Sequence, residues 1–185
     1  ALPGDLAEVR LTKVKKYYAY ARLERLLETS PDRATPRCPL HRRCGGCQIQ
    51  ALSYEKQLEY KETKVREDLI RIGGFVDPPV LPVLGMEEPY HYRNKAQFPF
   101  GRDREGRLVT GFYAGRTHSI VPGTDCALGV PENQRILETI LEFMNEKGIE
   151  PYDEKTGKGL LCHALLRKAF ATGELMVCLV INGKS

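Results

Sequence analysis

The chain has 185 residues, 42% hydrophobic and 28% charged, which is enough apolar material to pack one domain with an appendage. No apolar run approaches the ~20 residues of a membrane span, no secretory leader is recognisable, and a chain of this size needs no disulfide staples, so a cytoplasmic setting without a membrane or an obligate protein partner is expected. Net charge is only +4, so the placement of the basic residues matters more than their sum.

Residues 5–29 alternate weakly between apolar and polar side chains and predict short twisted strands, with Tyr17, Tyr18 and Tyr20 set among Lys13, Lys15, Lys16 and Arg22. Aromatic and basic side chains so mixed can stack bases and neutralise phosphates, and they serve equally well as half-buried strand residues. Pro31 and Pro36 mark a linker. It leads into the most informative segment of the chain, Cys38-Pro-Leu-His-Arg-Arg-Cys44-Gly-Gly-Cys47.

The spacing C-x5-C-x2-C is too dense for a chance cluster of small core residues. Two thiolates two residues apart can turn toward one centre, and Gly45 and Gly46 let the backbone fold tightly there. N–H groups freed by such a turn can point at sulfur and offset its charge. Three close ligands with one distant ligand is a common plan for an iron–sulfur site. Cys126, in the turn-rich run Pro122-Gly-Thr-Asp-Cys126, is the candidate fourth ligand. Cys162 and Cys178 stand in apolar runs and are expected to be buried and inert. Zinc, with His41 or His118 as a ligand, and disulfides among the six cysteines remain alternatives at this point.

Ser53 predicts a helix N-cap with Glu55 in the first turn. Tyr54, Leu58, Val65, Leu69 and Ile72 then recur at helical spacing toward a Gly73-Gly74 stop. A proline-rich connection through Pro78, Pro79 and Pro82 follows. Residues 91–121 read as a strand meander, with Ala96–Phe100 turning at Asp103–Gly106 into Leu108–Tyr113. Between His91 and Ile120 stand Arg93, Lys95, Arg102, Arg104, Arg107 and Arg116 against Asp103 and Glu105, so six cations and two acids give this stretch +4 by itself. Such concentration suits a phosphate backbone, and it also suits an ordinary solvated hairpin. A second helix is predicted over Glu132–Lys147, with Ile136, Leu137, Ile140, Leu141 and Met144 on one side and Gly148 as its stop. Leu160–Phe170 and Leu175–Ile181 predict a closing hairpin. The whole is expected to be α+β with an antiparallel sheet.

Arg37-Cys38-Pro39, then Cys44-Gly45-Gly46-Cys47-Gln48-Ile49-Gln50 with Tyr54 and Lys56-Gln57, resembles the bacterial RNA (uracil-5-)-methyltransferase family. Ser30-Pro31-Asp32-Arg33, Tyr92-Arg93-Asn94-Lys95, Gly111-Phe112-Tyr113, His118-Ser119-Ile120-Val121 and Asp125-Cys126 resemble further landmarks in the same order. The resemblance implies the 23S ribosomal-RNA branch of that family. Its expected layout is the end of a small TRAM barrel, OB-like in form, over 1–36, an iron–sulfur loop over 37–50 and a central RNA-binding α+β domain over 51–185. It implies a 4Fe-4S cluster on Cys38, Cys44, Cys47 and Cys126, with a fold-supporting role.

It also implies a C-terminal domain that binds S-adenosylmethionine and supplies the nucleophilic cysteine. No glycine-rich cofactor fingerprint is found in residues 1–185. The chain therefore reads as a non-catalytic fragment of such an enzyme, with no catalytic residue of its own. Arg93 with Lys95, and Arg116 with His118, are each two residues apart, so each pair would share a strand face and could grip RNA, ribosomal RNA above all. His163 and Arg167 are weaker candidates, expected to be a satisfied half-buried pair. A zinc-stabilised RNA-binding module and a single-cluster redox protein are the other readings.

Overall fold

The structure, a computed structural model, describes residues 1–183. Its contacts divide the chain into two compact units. The first joins Ala1–Pro36 to Ile49–Gly85, and the second joins Arg37–Gln48 to the segment from Met86 onward. Helix and proline-rich connection fall in the same unit as the N-terminal strands, and the backbone hydrogen bonds show how.

In the first unit, β1 (Leu6–Val14) and β2 (Ala19–Glu28) form an antiparallel hairpin. Lys15 N–H donates to the Tyr18 carbonyl at 2.8 Å to close the turn. Among the described residues this sheet has two strands, both exposed along nearly their whole length. The expected barrel is thus seen as a hairpin, because closure needs a sheet that returns to its first strand. Tyr17, Tyr18 and Tyr20 are exposed, which removes their reading as half-buried strand residues.

An ion pair holds the base of the hairpin. Both carboxylate oxygens of Asp5 accept from Arg33, at 2.8 Å from Nε and 2.6 Å from Nη2, and Oδ1 also accepts from the Ser30 N–H at 3.0 Å. The Asp5 side chain is 0% exposed and that of Arg33 22%. The guanidinium first, and the two backbone N–H groups of Leu2 and Ser30 next, hold the carboxyl far below the usual carboxylate range. From there Ala34 N–H bonds to Ala51, and Ser53 N–H to Asp32, both at 2.9 Å. The chain therefore reaches helix α1 (Tyr54–Arg71) already anchored to the segment after β2.

Ser53 caps α1 as expected, its Oγ accepting from Lys56 N–H at 3.4 Å. The predicted apolar stripe is only half covered. Tyr54, Leu58 and Leu69 are half-buried, whereas Val65 and Ile72 are exposed and no residue of the helix is fully buried. Four ion pairs three or four residues apart, Lys56–Glu59, Arg66–Glu62, Lys64–Asp68 and Arg71–Glu67, lie along its wet side.

The second unit is a five-stranded antiparallel sheet with one helix packed on it. Its strands are β3 (Lys95–Arg102), β4 (Leu108–Tyr113), β5 (Ile120–Pro122), β6 (Leu161–Lys168) and β7 (Leu175–Ile181), in the order β5-β4-β3-β6-β7. Helix α2 spans Glu132–Lys147, as predicted, and ends on left-handed Gly148. Its inward residues Leu137 and Met144 join Ala96, Phe98, Phe100, Leu161, Ala164 and Leu166 in the core, and Ile136, Ile140 and Leu141 pack around them. Leu137 is 0% exposed. At ~25 cal/mol per Å² of apolar surface, a side chain of this kind contributes ~2–3 kcal/mol by burial. Strand β7 forms one edge of the sheet, and all seven of its residues are exposed. Cys178, expected to be buried there, is therefore exposed, and Cys162 on β6 is half-buried.

Candidate functional site

The cysteine loop is folded by its own backbone. Leu40 accepts N–H bonds from Arg43 and Cys44 at 2.9 and 2.8 Å, and Cys38 accepts from His41 at 3.2 Å. It then joins the sheet. Cys44 bridges antiparallel to Ala114, and Gly45 N–H donates to the Tyr113 carbonyl at 3.0 Å. Only glycine fits at position 45. A Cβ there would stand 2.9 Å from the Gly115 Cα and 3.0 Å from its nitrogen, both of them backbone. On the other side, Leu40 packs against Gly123, three residues before Cys126.

Across this seam the loop cysteines and Cys126 come within range of charge interaction. Cys38 and Cys47 each sense the charge of Cys44 and Cys126, and Cys47 senses Cys38 as well. Burial first, and the neighbouring thiolates second, push both thiols above their ordinary value of 9.0. Two features favour negative charge here. Gly46 N–H donates to Cys44 Sγ at 3.4 Å, and the Arg93 guanidinium draws the Cys47 thiol back down. All six cysteines are thiols, with no disulfide among the described residues. Among those residues, no three His, Cys, Asp or Glu side chains converge as a single metal ion would require.

The four basic candidates are dispersed. Arg93 lies ahead of β3, in a parallel bridge to Gly129, with its N–H donating to Leu128 at 2.9 Å. It therefore serves the turn that carries Cys126 and lies outside the strand that begins at Lys95. Lys95 begins β3, directly opposite Arg167 of β6. Both are exposed, and no carboxylate lies within ion-pair distance of either among the described residues. Like charges placed opposite one another in a ladder are unfavourable unless an anion joins them. Arg116 occupies the turn between β4 and β5 with φ of 62°, a conformation uncommon outside glycine and asparagine.

His118 stands apart from the other three, in a cleft. Its ring stacks on Tyr113, with centroids 5.3 Å apart and planes inclined by 23°, and its Nδ1 lies 2.8 Å from Glu154 Oε2. The cleft has a volume of about 1220 Å³ and lies between the β3–β4 turn, the β4–β5 turn and the loop 150–159. Cys162 and His163 of β6 form its floor, and Arg43 reaches it from the cysteine loop. Burial holds His163 below its usual imidazole value, with Glu154 opposing. His163 lines this cleft while Arg167 faces Lys95, so the two do not form the expected pair. Arg43 and Glu154 carry no local signal in sequence, and Tyr113 entered only within the Gly111-Phe112-Tyr113 resemblance. The short Gly115-Arg116-Thr117 connection was the available clue that Tyr113 and His118 come face to face.

No family model matches the chain. Curated relatives do. It is 43% identical over 184 residues to an uncharacterised RNA methyltransferase of Halalkalibacterium halodurans, which covers all of this chain and 40% of that protein. It is 45% identical over 179 residues to an uncharacterised RNA methyltransferase of Bacillus cereus, covering 97% and 39%. Among solved structures it resembles the Pyrococcus abyssi tRNA (uracil-54, C5)-methyltransferase in complex with S-adenosyl-L-homocysteine. The TM-score is 0.68 at 29% identity, over 98% of this chain and 40% of the other. The chain thus spans about two fifths of the length of the relatives it matches. Over its whole length it is similar to part of these RNA methyltransferases.

Proposed function

We propose that residues 1–185 are the RNA-recognition and cluster-bearing part of an RNA (uracil-5-)-methyltransferase of the cytoplasm. The observation that carries this reading is kinship with RNA methyltransferases over the whole chain, joined to four cysteines gathered at one half-buried place. The 1–36 hairpin then belongs to a TRAM-like barrel. The methyl donor, S-adenosylmethionine, and the reacting residues belong to the three fifths of the relatives that this chain does not match.

The donor set fits a 4Fe-4S cluster held by Cys38, Cys44, Cys47 and Cys126. Four thiols within range of one another's charge, an N–H donated to sulfur and a guanidinium nearby suit an anionic group. The iron corners of such a cluster are separated, so its thiolates need not converge on one point as they must around zinc. Bound there, the cluster supplies cross-linking of two distant chain segments, with no electron transfer required. The chain's own residues do the rest. Gly45 seats the loop on β4, Leu40 wedges it against Gly123, and Arg93 holds the Cys126 turn.

RNA is met by cations that the fold leaves without carboxylates, of which Lys95 and Arg167 are one pair. The ribosomal-RNA reading rests on the cysteine pattern, and the likeness to a tRNA methyltransferase favours tRNA as the second reading. Binding titrations with ribosomal-RNA and tRNA stem-loops across salt concentrations test both. A joint Lys95→Ala and Arg167→Ala change is expected to lower the salt slope by about 1.4, or ~0.7 per phosphate contact on a single strand. An unchanged slope removes this face from the interface, and no RNA affinity in the unaltered chain contradicts the reading as a whole.

A further inference from the structure

The cleft of the second unit carries an inference that rests on this RNA reading and goes beyond it. Six Lys and Arg side chains line it against five acids. All five acids are engaged by neighbours. Glu150 takes both Nη2 and Nε of Arg102, at 2.8 and 3.0 Å, and Asp103 and Glu105 share Arg107. Glu154 holds His118, and Asp153 accepts from Lys155 N–H and Thr156 Oγ1 at 3.0 and 2.9 Å. Arg43, Arg104, Lys155 and Lys158 are exposed and, among the described residues, have no carboxylate within ion-pair distance of their side chains. The cleft therefore nets about +1, and the four cations without a carboxylate stand on three different loops.

Between those cations lies the Tyr113–His118 stack. Tyr113 is half-buried on β4 and forms the fixed layer. The His118 side chain is 75% exposed and is oriented by Glu154, so one face of its ring remains open to the cleft. Exposed aromatic faces ringed by cations match single-stranded nucleic acid, whose bases offer π-faces and whose phosphates follow at regular intervals. A duplex hides its base faces and gains nothing from such a stack. The cysteine loop is part of the same wall, since Gly45 N–H bonds the carbonyl of Tyr113 and Arg43 adjoins Cys44.

We propose that this cleft is a binding site for an unpaired RNA nucleotide, its base stacked on His118 over Tyr113 and its flanking phosphates held by Arg43, Arg104, Lys155 and Lys158. The test is fluorescence anisotropy on the whole chain with a labelled single-stranded RNA oligonucleotide, with duplex RNA as competitor. His118→Ala is expected to weaken binding about 5- to 150-fold, the range found when one base loses its aromatic partner. His118→Phe, which keeps a ring and loses the bond to Glu154, is expected to retain most of the affinity. Arg104→Ala with Lys158→Ala, both exposed and structurally undemanding, should lower the salt slope by about 1.4. If the unaltered chain and the Lys95/Arg167 variant behave as an RNA-binding protein and its weakened form, yet none of these three variants differs from the unaltered chain, the cleft is not the site. Equal competition by duplex RNA overturns the stacking as well. Failure of the unaltered chain to bind any RNA overturns the RNA reading and this proposal together.

Discussion

Gly45→Ala is the sharpest perturbation of the seam between cysteine loop and sheet. The added Cβ would meet the Gly115 Cα, the Gly115 nitrogen and the Tyr113 oxygen at 2.9, 3.0 and 3.1 Å. All three are backbone atoms of a paired strand end, so none can step aside as a flexible side chain would. Forcing the loop off costs ~1–3 kcal/mol by overpacking. Weakening the Gly45 N–H bond to Tyr113 adds ~1 kcal/mol. Together they amount to ~2–4 kcal/mol, or about 30- to 1000-fold in the population of the seated loop, against domain stabilities of ~5–15 kcal/mol. Gly46→Ala is the internal control, because its Cβ would meet only Cys44 Sγ at an ordinary 3.5 Å. Thermal unfolding and iron content, measured on anaerobically reconstituted protein, should separate the two variants by about 10 °C, with Gly45→Ala retaining less iron. Equal behaviour of the two, or a larger loss in Gly46→Ala, would refute the argument that β4 seats the loop.

Three further outcomes are expected. Cys126→Ser should empty the site of iron while Cys162→Ser leaves the iron content intact, measured by metal analysis; the reverse result would move the fourth ligand to β6. The Cys38 and Cys47 thiols are raised in the folded chain, so their protonated forms contribute stability that is present below their ordinary 9.0 and lost as pH rises through the raised values. The metal-free chain should therefore melt at lower temperature above about pH 9, and metal loading should release protons and fade toward acid pH instead. Asp5→Asn should destabilise the first unit at neutral pH. In the unaltered chain the Asp5 contribution is present above the ordinary carboxylate value of 3.8 and disappears as pH falls through its depressed one, so the two should converge in strong acid by circular dichroism.

What the sequence discloses follows from how local each determinant is. Helix α2 was legible to its terminal residues, because Glu132, the Leu137–Met144 stripe and Gly148 all lie inside one segment. The stripe on α1 was equally clear, yet Val65 and Ile72 are exposed. Periodicity reports which face is apolar and does not report whether anything covers it. Cys178 shows the same limit, since its apolar neighbours describe a strand and cannot describe its position at a sheet edge. Arg93 was read as a nucleic-acid contact from its spacing to Lys95. Its influence on Cys47, 46 positions away, and its bridge to Gly129 are tertiary facts that this spacing does not carry. The Asp5–Arg33 pair and the Tyr113–His118–Glu154 cleft are likewise built from distant residues of common types. The cysteine loop stands out in the sequence because its residue types are rare and its spacing short.

The most direct test of the account is the metal itself, measured as iron, acid-labile sulfide and zinc on protein purified without oxygen, together with its visible absorption. About four irons and four sulfides per chain with a broad brown absorption are predicted for a 4Fe-4S site. One zinc and no sulfide would contradict it, and would make the four cysteines a structural zinc site in an RNA-binding module.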